Sequence, residues 1–163
     1  MSVAYLGLGS NIGEPAANLE AAVAALDVMA GIAVLRRSRW YGSKAVGYTE
    51  QPDFVNGVVE IATDFTPSEL LAAVKGIEAG LGRTPSFRWG PRLIDLDILD
   101  YSDAAGQRIV RGDRPIIPHP SMHERRFVLE PLAELAPTWQ LPDGRSIAEL
   151  LAGVQEQELW PLG

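Results

Sequence analysis

The sequence Arg88-Trp-Gly-Pro-Arg-Leu-Ile-Asp-Leu-Asp-Ile-Leu99 begins as a loop and continues as an apolar run that contains two carboxylates. Gly90 and Pro91 disfavour regular structure, whereas the leucines and isoleucines after them predict a buried strand. Successive side chains of a strand point to opposite faces, so Asp95 and Asp97 should be neighbours on one face. Two neighbouring carboxylates repel each other unless a cation lies between them. The stretch therefore predicts a strand that carries a metal site.

The chemistry of this acid pair indicates magnesium. Mg²⁺ keeps several waters and is usually bound by one or two carboxylates together with the phosphate oxygens of a nucleotide. Three arginines in the same region, Arg83, Arg88 and Arg92, offer guanidinium groups suited to phosphate. The alternative is that Asp95 and Asp97 lie on an exposed edge strand and bind nothing.

The composition describes one globular domain that spans residues 1–163. Of these residues 47% are hydrophobic, enough for a substantial core, and none is cysteine, which excludes disulfides and thiolate ligands. No apolar run approaches the length of a membrane span, and no segment has the pattern of a signal peptide. We therefore expect a cytoplasmic monomer with no membrane partner.

Charge is distributed unevenly along the chain. The net charge is −7, yet residues 83–126 contain eight arginines and six acidic residues, which makes that segment +2 and the rest −9. Such an acidic protein lacks the basic face that nucleic-acid binding usually requires. A small anionic ligand such as a nucleotide suits the arginine-rich segment, and the alternative is an ordinary solvated surface.

Hydrophobic periodicity predicts the element order β-α-β-β-α-β followed by further helices. The predicted strands cover residues 3–8, 32–40, 54–62 and 94–99. The first helix runs from about 15 to 29 and buries Leu19, Ala22, Val23 and Leu26. The second helix opens with the capping box Thr66-Pro-Ser-Glu69, buries Leu70, Val74, Ile77 and Leu81, and ends at Gly80 and Gly82.

The segments between and after these elements are less regular. Residues 41–51 are predicted to be a long polar loop, and residues 82–92 a mobile lid over a bound anion. Residues 114–119 suggest a short strand, and a helix from about 121 should be interrupted near Pro131. A second capping box, Ser146-Ile-Ala-Glu149, should open a C-terminal helix.

This order predicts an α+β fold, a ferredoxin-like, mostly antiparallel sheet with helices on its faces and extra C-terminal helices. The fold does not decide the function. RNA-recognition modules and small regulatory ligand-binding domains have the same element order, so function must be argued from the site.

Phe54 and Asn56 share one face at the start of the third predicted strand. A flat ring beside an amide could stack on a planar heterocycle and hydrogen-bond to its edge. A core phenylalanine and a turn-capping asparagine are the alternative.

Four motifs together resemble one known family. They are Ala4-Tyr-Leu-Gly-Leu-Gly-Ser-Asn11, Gln51-Pro-Asp-Phe-Val-Asn56, the Arg88 to Asp97 stretch and Pro118-His-Pro-Ser-Met-His-Glu-Arg-Arg-Phe127. In order and spacing they are similar to the 6-hydroxymethyl-7,8-dihydropterin pyrophosphokinases of folate biosynthesis. The resemblance covers nearly the whole chain. It implies transfer of pyrophosphate from ATP to the pterin hydroxymethyl group, with AMP as the second product.

The resemblance also implies roles for individual residues. Asp95 and Asp97 should hold two Mg²⁺ ions that bridge the phosphates of ATP, the co-substrate, and Asp95 should also face the pterin. The catalytic and phosphate-contacting cations are Arg83, Arg92, His119 and Arg125, with Arg88 as an additional one. The residues expected on the nucleotide side are Leu71, Glu78, Ile98, Arg114 and Ile116. The residues expected around the pterin are Ser43, Val46, Phe54, Asn56, Trp89 and Phe127.

Three positions depart from the family pattern. Thr84-Pro85 replaces a second arginine that relatives often carry after the position of Arg83, and we expect Arg88 to supply that charge instead. Phe54 stands where tyrosine is common, which keeps the stacking and loses a hydroxyl. Lys44-Ala45 replaces frequent prolines in the substrate loop, which should make that loop less rigid.

Two rival functions use the same fold. An RNA-binding module would need an aromatic-rich central strand and a basic surface, and this sequence has neither. A catalytically inactive nucleotide- or pterin-binding regulatory domain is the other rival, although every position expected to be catalytic is filled.

Overall fold

The structure, a computed structural model, describes residues 1–45, 50–82 and 90–162. The strands are β1 (Ser2–Ser10), β2 (Ile32–Arg37), β3 (Tyr41–Ser43), β4 (Phe54–Thr63), β5 (Asp95–Ser102) and β6 (Leu159–Pro161). The helices are α1 (Pro15–Val28), α2 (Pro67–Gly80), α3 (Arg126–Leu135) and α4 (Ile147–Ala152), and a 3₁₀ turn spans Met122–Glu124.

The six strands form one sheet in the order β5-β1-β4-β3-β6, with β2 also paired to β4. All five strand pairs found among the described residues are antiparallel. The four longer strands thus lie in the order β5-β1-β4-β2, and α1 and α2 connect the strands that are not adjacent. This is the split β-α-β arrangement of a ferredoxin-like fold, so the predicted α+β fold class is confirmed.

One face of the sheet packs on α1 and α2. Alternation along β1 sends Ala4, Leu6 and Leu8 to this face, where they meet Val59 and Ile61 of β4. The predicted inward stripe of α1, Leu19, Ala22, Val23 and Leu26, is buried against them. In α2 the capping box at Thr66 forms as predicted, with Glu69 N donating to Thr66 Oγ1 at 3.2 Å.

The opposite face packs on α3 and α4 around a second cluster that includes Val58, Leu99, Met122, Leu129 and Leu132. Ser146 caps α4 as predicted, because its hydroxyl accepts a hydrogen bond from Glu149 N at 3.1 Å. The predicted interruption near Pro131 is wrong, since α3 continues to Leu135. Pro131 is buried within the cluster, and this packing offsets the hydrogen bond that proline cannot donate.

The strand that carries the acid pair, β5, lies at an edge of the described sheet, yet it is covered rather than exposed. A carboxylate oxygen of Glu78 accepts from Leu96 N at 2.6 Å. His119 N donates to Leu99 O, and Ile109 N donates to Tyr101 O, both at 2.9 Å. Side chains and loop backbone therefore satisfy edge groups that would otherwise face water or another strand.

Two strand predictions differ from the structure. The predicted strand 32–40 ends at Arg37, and the predicted loop 41–51 begins with β3, which pairs with both β4 and β6. Residues 114–119 do not form a strand, and only an isolated bridge joins Ile117 to Arg111. Prolines 115, 118 and 120 lack the N–H groups that a ladder needs, whereas the pairing partner of β3 comes from the distant C-terminal segment.

Candidate functional site

A cavity of about 150 Å³ lies against the sheet on the face that carries α3. Gly7 and Gly9 of β1 line it and leave space because they have no side chains. A Cβ built at Gly9 would lie 3.0 Å from Oδ1 of Asn56. Glycine at this position therefore keeps the amide accessible from the cavity.

One half of the cavity is aromatic and amide-lined. Phe54 and Asn56 of β4 line it together with Ser43 of β3 and Phe127 of α3. Asn56 is 4% exposed, and its Nδ2 donates to the Ser43 hydroxyl at 2.7 Å. This bond uses one of the two amide N–H groups and orients the side chain so that Oδ1 is an acceptor near Gly9. The expected shared face of Phe54 and Asn56 is thus present, with a second ring from Phe127.

The other half contains the acid pair. Asp95 and Asp97 both line the cavity, and the Asp95 side chain is 30% exposed. Arg92 lies beside them, with its Nε 3.7 Å from an Asp95 carboxylate oxygen. Leu99 is the extra residue of a β-bulge that shifts the register between β1 and β5, and it forms part of the cavity wall.

The donor set around the acid pair fits Mg²⁺. Within residues 1–45, 50–82 and 90–162 no group of three or more histidine and acidic side chains could form a complete metal cage. Two carboxylates leave the remaining coordination positions to water and phosphate oxygens, which is the usual arrangement for Mg²⁺.

His119 and Arg125 complete the wall of this half. Burial lowers the pKa of His119 below its ordinary value of 6.5, Asp97 opposes this shift, and the nearby Arg125 guanidinium adds to it. His119 Nδ1 accepts a hydrogen bond from Ser121 N at 3.1 Å. The neutral imidazole therefore carries its proton on Nε2 and can act there only as a donor.

The structure describes fourteen of the predicted site residues and brings nine of them together in this cavity. The cavity lining contains Ser43, Phe54, Asn56, Arg92, Asp95, Asp97, His119, Arg125 and Phe127. The predicted Val46, Arg83, Arg88 and Trp89, and most of the predicted lid 82–92, lie outside the described residues.

Five predicted nucleotide-side residues do not line this cavity. They are Leu71, Glu78, Ile98, Arg114 and Ile116. Ile98 is buried in the core under α1 and α2, and Glu78 is 2% exposed and bonded to Leu96 N. Arg114 and Ile116 are exposed on the segment that follows β5.

Sequence reasoning missed two residues at the cavity. Lys44 lines it, and its Nζ lies 3.5 Å from an Asp53 carboxylate oxygen. Asn11 lies just behind it, is 1% exposed and bonds to chain segments 40 and 81 residues away. Asn11 ends the first of the four family motifs, but the sequence assigns it no role. Asparagine there is an ordinary turn residue, so only the three-dimensional neighbours reveal its partners.

Fold and site together define a class of protein. A ferredoxin-like sheet carries a cavity with an aromatic half and a half lined by two carboxylates and two arginines. This combination is typical of an enzyme that transfers phosphoryl groups to a planar substrate.

Comparison with known proteins identifies the family. The chain matches the family described as 7,8-dihydro-6-hydroxymethylpterin-pyrophosphokinase (HPPK) over residues 5–137. It is 44% identical over 160 residues to the 2-amino-4-hydroxy-6-hydroxymethyldihydropteridine pyrophosphokinase of Synechocystis sp., covering 98% of this chain and 80% of that protein. The protein of the same name from Methylorubrum extorquens is 47% identical over 152 residues, 93% of each chain. The chain therefore belongs to the HPPK family.

Solved structures support the fold. The wild-type HPPK-DHPS of Plasmodium falciparum, crystallised with pterin and p-hydroxybenzoate, is similar with a TM-score of 0.69 at 16% sequence identity. The match covers 93% of this chain and 41% of that one, so the chain spans less than half the length of this structural relative. No helix among the described residues has the length and hydropathy of a membrane span.

Proposed function

We propose that this cavity transfers pyrophosphate from ATP to the hydroxymethyl group of 6-hydroxymethyl-7,8-dihydropterin. Family membership makes the chain an ATP-dependent diphosphokinase, a transferase of folate biosynthesis. The observation that carries the assignment of the site is that the ring-and-amide half and the acid-pair half open into one cavity. Both reacting groups can then be held side by side, which is the main requirement of phosphoryl transfer.

The pterin binds in the aromatic half. Phe54 and Phe127 stack on the two faces of its ring, and Asn56 hydrogen-bonds to its edge. Ser43 fixes the Asn56 amide so that Oδ1 is presented to a ring N–H, since its hydroxyl already accepts from Nδ2. Val46 and Trp89 belong to the same group of contacts in this proposal.

The triphosphate binds in the other half. Arg92, Arg125 and the Nε2–H of His119 contact phosphate oxygens, and Arg83 and Arg88 add charge from the preceding segment. Asp95 and Asp97 would hold two Mg²⁺ ions, which neutralise the phosphates and stabilise charge that develops during transfer. The arginines of the cavity wall and the acid pair together suit the triphosphate of ATP, which carries about four negative charges, together with its metal ions.

The rest of the nucleotide lies along the outer edge of β5. Leu71 and Glu78 belong to α2, which packs against β5, and Ile98 belongs to β5 itself. Arg114 and Ile116 are exposed on the segment that follows β5. Arg111 connects α2 to the segment that follows β5, because its guanidinium donates to Ser68 Oγ at 3.4 Å and to Arg114 O at 3.1 Å. In this proposal Glu78 acts indirectly, by holding Leu96 N.

The reaction exchanges one oxygen–phosphorus bond for another. The hydroxymethyl oxygen bonds to the β-phosphorus, the bond from that phosphorus to the oxygen bridging to the α-phosphate breaks, and AMP leaves with the electron pair. The hydroxyl proton passes to water, so no side-chain base is required. The chain's own contribution is to align the two groups and to stabilise the phosphate charge with its arginines.

We also propose that the protein works as a cytoplasmic monomer on these small molecules, without a nucleic-acid or membrane partner. ATP, Mg²⁺ and the pterin are then all available in one compartment. Light scattering of the purified chain would give a mass of one 17.6 kDa protomer, and a stable dimer would contradict this part of the proposal.

Identification of the nucleotide product tests the function. The protein is incubated with ATP, Mg²⁺ and 6-hydroxymethyl-7,8-dihydropterin, and nucleotides are separated by chromatography. We expect AMP only when pterin and metal are both present. ADP would indicate transfer of a single phosphoryl group, and no product despite nucleotide binding would favour an inactive regulatory domain.

A further inference from the structure

Asn11 connects three separate parts of the chain through its amide and its backbone. Its Nδ2 donates to Gln51 Oε1 at 2.8 Å and to Pro52 O at 3.0 Å. Its Oδ1 accepts from Arg92 N at 2.8 Å, and its own N donates to Arg92 O at 2.9 Å. One side chain at the end of β1 therefore bonds to both sides of the cavity.

The two partners belong to different halves of the site. Gln51 and Pro52 immediately precede Phe54 and Asn56, the proposed pterin contacts. Arg92 lies beside Asp95 in the phosphate half. Because Asn11 bonds to the backbone at both places, it fixes the course of the chain next to Phe54 on one side and at Arg92 on the other.

Burial makes these bonds hard to replace. Asn11 is 1% exposed, so a lost partner leaves polar groups that water cannot readily satisfy. A shift of about 1 Å in a group that positions a substrate is enough to reduce turnover strongly. The side chain itself does not line the cavity, so it cannot contact substrate there.

We propose that Asn11 is a positioning residue that holds the pterin half and the phosphate half of the site in register. This inference rests on the proposed function, because it assigns the Gln51 side to pterin binding and the Arg92 side to transfer. It predicts two separable effects of substituting Asn11. The pterin KM should rise because the bond to Gln51 is lost, and kcat should fall because the bond to Arg92 is lost.

Asn18 provides a matched control. It is also an asparagine, near the start of α1, and its Nδ2 donates to Ser10 Oγ, Ile12 O and Leu93 O at 3.1, 2.8 and 3.3 Å. None of these acceptors belongs to Gln51, Pro52 or Arg92. Loss of this amide should lower stability without a specific effect on either substrate half.

The test is steady-state kinetics of AMP formation for Asn11→Ala, Gln51→Ala, the double variant and Asn18→Ala. We expect Gln51→Ala to raise the pterin KM about 10-fold and to leave kcat nearly unchanged. We expect Asn11→Ala to raise the pterin KM by a similar factor and also to lower kcat about 10-fold. The double variant should have the pterin KM of Asn11→Ala alone, because both substitutions break one connection. Asn18→Ala should change both constants less than about 2-fold.

Several results would overturn the proposal. One is a folded Asn11→Ala protein with wild-type kcat and pterin KM. Another is a double variant in which the KM effects of the two substitutions multiply. A third is an Asn18→Ala protein whose kcat and pterin KM change as much as those of Asn11→Ala. If Asn11→Ala does not fold, an unchanged pterin KM in Gln51→Ala is the contradicting result. Wild-type protein that forms no AMP would instead contradict the proposed function, so the two failures are distinguishable.

Discussion

His119 illustrates how one buried side chain acquires a fixed chemical role. The backbone N–H of His119 donates to Leu99 O on β5, and Ser121 N donates a hydrogen bond to Nδ1 of the imidazole. Burial lowers its pKa below 6.5, so the neutral form with a proton on Nε2 is favoured near neutral pH. The residue is thereby suited to donate a hydrogen bond to a phosphate oxygen rather than to accept a proton.

This lowered pKa predicts a pH dependence of stability. Below pH 6.5 the unfolded chain takes up a proton at His119 that the folded chain resists, so the free energy of unfolding should fall as pH falls. His119→Gln should remove this contribution. The check is urea denaturation between pH 7.5 and 5.5 in metal-free buffer.

His123→Gln is the control for that experiment, because it leaves His119 in place and should retain the slope that His119 contributes. A wild-type slope in His119→Gln would contradict the assigned shift.

At the residue scale, the sequence predicted site residues that share one strand better than it predicted contacts between residues far apart in the chain. Asp95 and Asp97 could be paired from the alternation of one strand, and the cavity contains both. Asn11 could not be assigned, because its partners lie 40 and 81 residues away and neither has a recognisable local pattern. Strand alternation placed Phe54 beside Asn56, but pairing Phe127 with Phe54 required the family resemblance, since two rings 73 positions apart have no common periodicity.

The element that decides the site geometry is β5, and α2 secures it. Its Leu96 N–H would be unpaired at the sheet edge without the Glu78 carboxylate, which approaches to 2.6 Å. Lys75 also lies near Glu78, with its Nζ 3.3 Å from Oε1. A buried, hydrogen-bonded acid therefore fixes the strand beside the acid pair.

Glu78→Ala should destabilise the fold by about 1–3 kcal/mol, because it leaves a buried backbone donor without its partner. Urea denaturation measures this, with Glu156→Ala at an exposed C-terminal position as the matched control, expected within about 0.5 kcal/mol of wild type. A Glu78→Ala protein as stable as wild type would show that the bond to Leu96 contributes nothing.

Elements with strong local signals were predicted well. The capping boxes and apolar stripes placed α1, α2 and α4 correctly, because caps and periodicity are local properties. Strand β3 was missed because three residues are too few for a periodic pattern, and its partner β6 comes from the end of the chain. The apolar residues around 114–119 suggested a strand, but their prolines permit only one bridge.

At the scale of the whole molecule, charge separates the rival functions. The net charge of −7 is combined with cations gathered at the cavity, which favours a small anion over a polyanion. The ferredoxin-like order could be predicted from the sequence. The packing of α3 and α4 on the cavity-bearing face could not, since nothing local specifies which face a C-terminal helix covers.

An RNA-binding module should be excluded by a filter-binding assay. We expect no retention of single-stranded RNA at micromolar protein and about 100 mM salt, because an acidic surface repels the phosphate backbone. Retention that weakens steeply with added salt would contradict this prediction and support the rival function.

The most direct test of the central claim is the Mg²⁺ dependence of AMP formation in wild type, Asp97→Asn and Asp64→Asn. Asp97→Asn removes one carboxylate of the pair with little change in shape, whereas Asp64 is an exposed acid at the end of β4 and serves as the control. We predict a loss of about 100-fold or more at saturating Mg²⁺ for Asp97→Asn, with an unchanged midpoint of urea unfolding, and wild-type turnover for Asp64→Asn. If Asp97→Asn turns over within a few-fold of wild type, the acid pair does not hold the metal on which transfer depends.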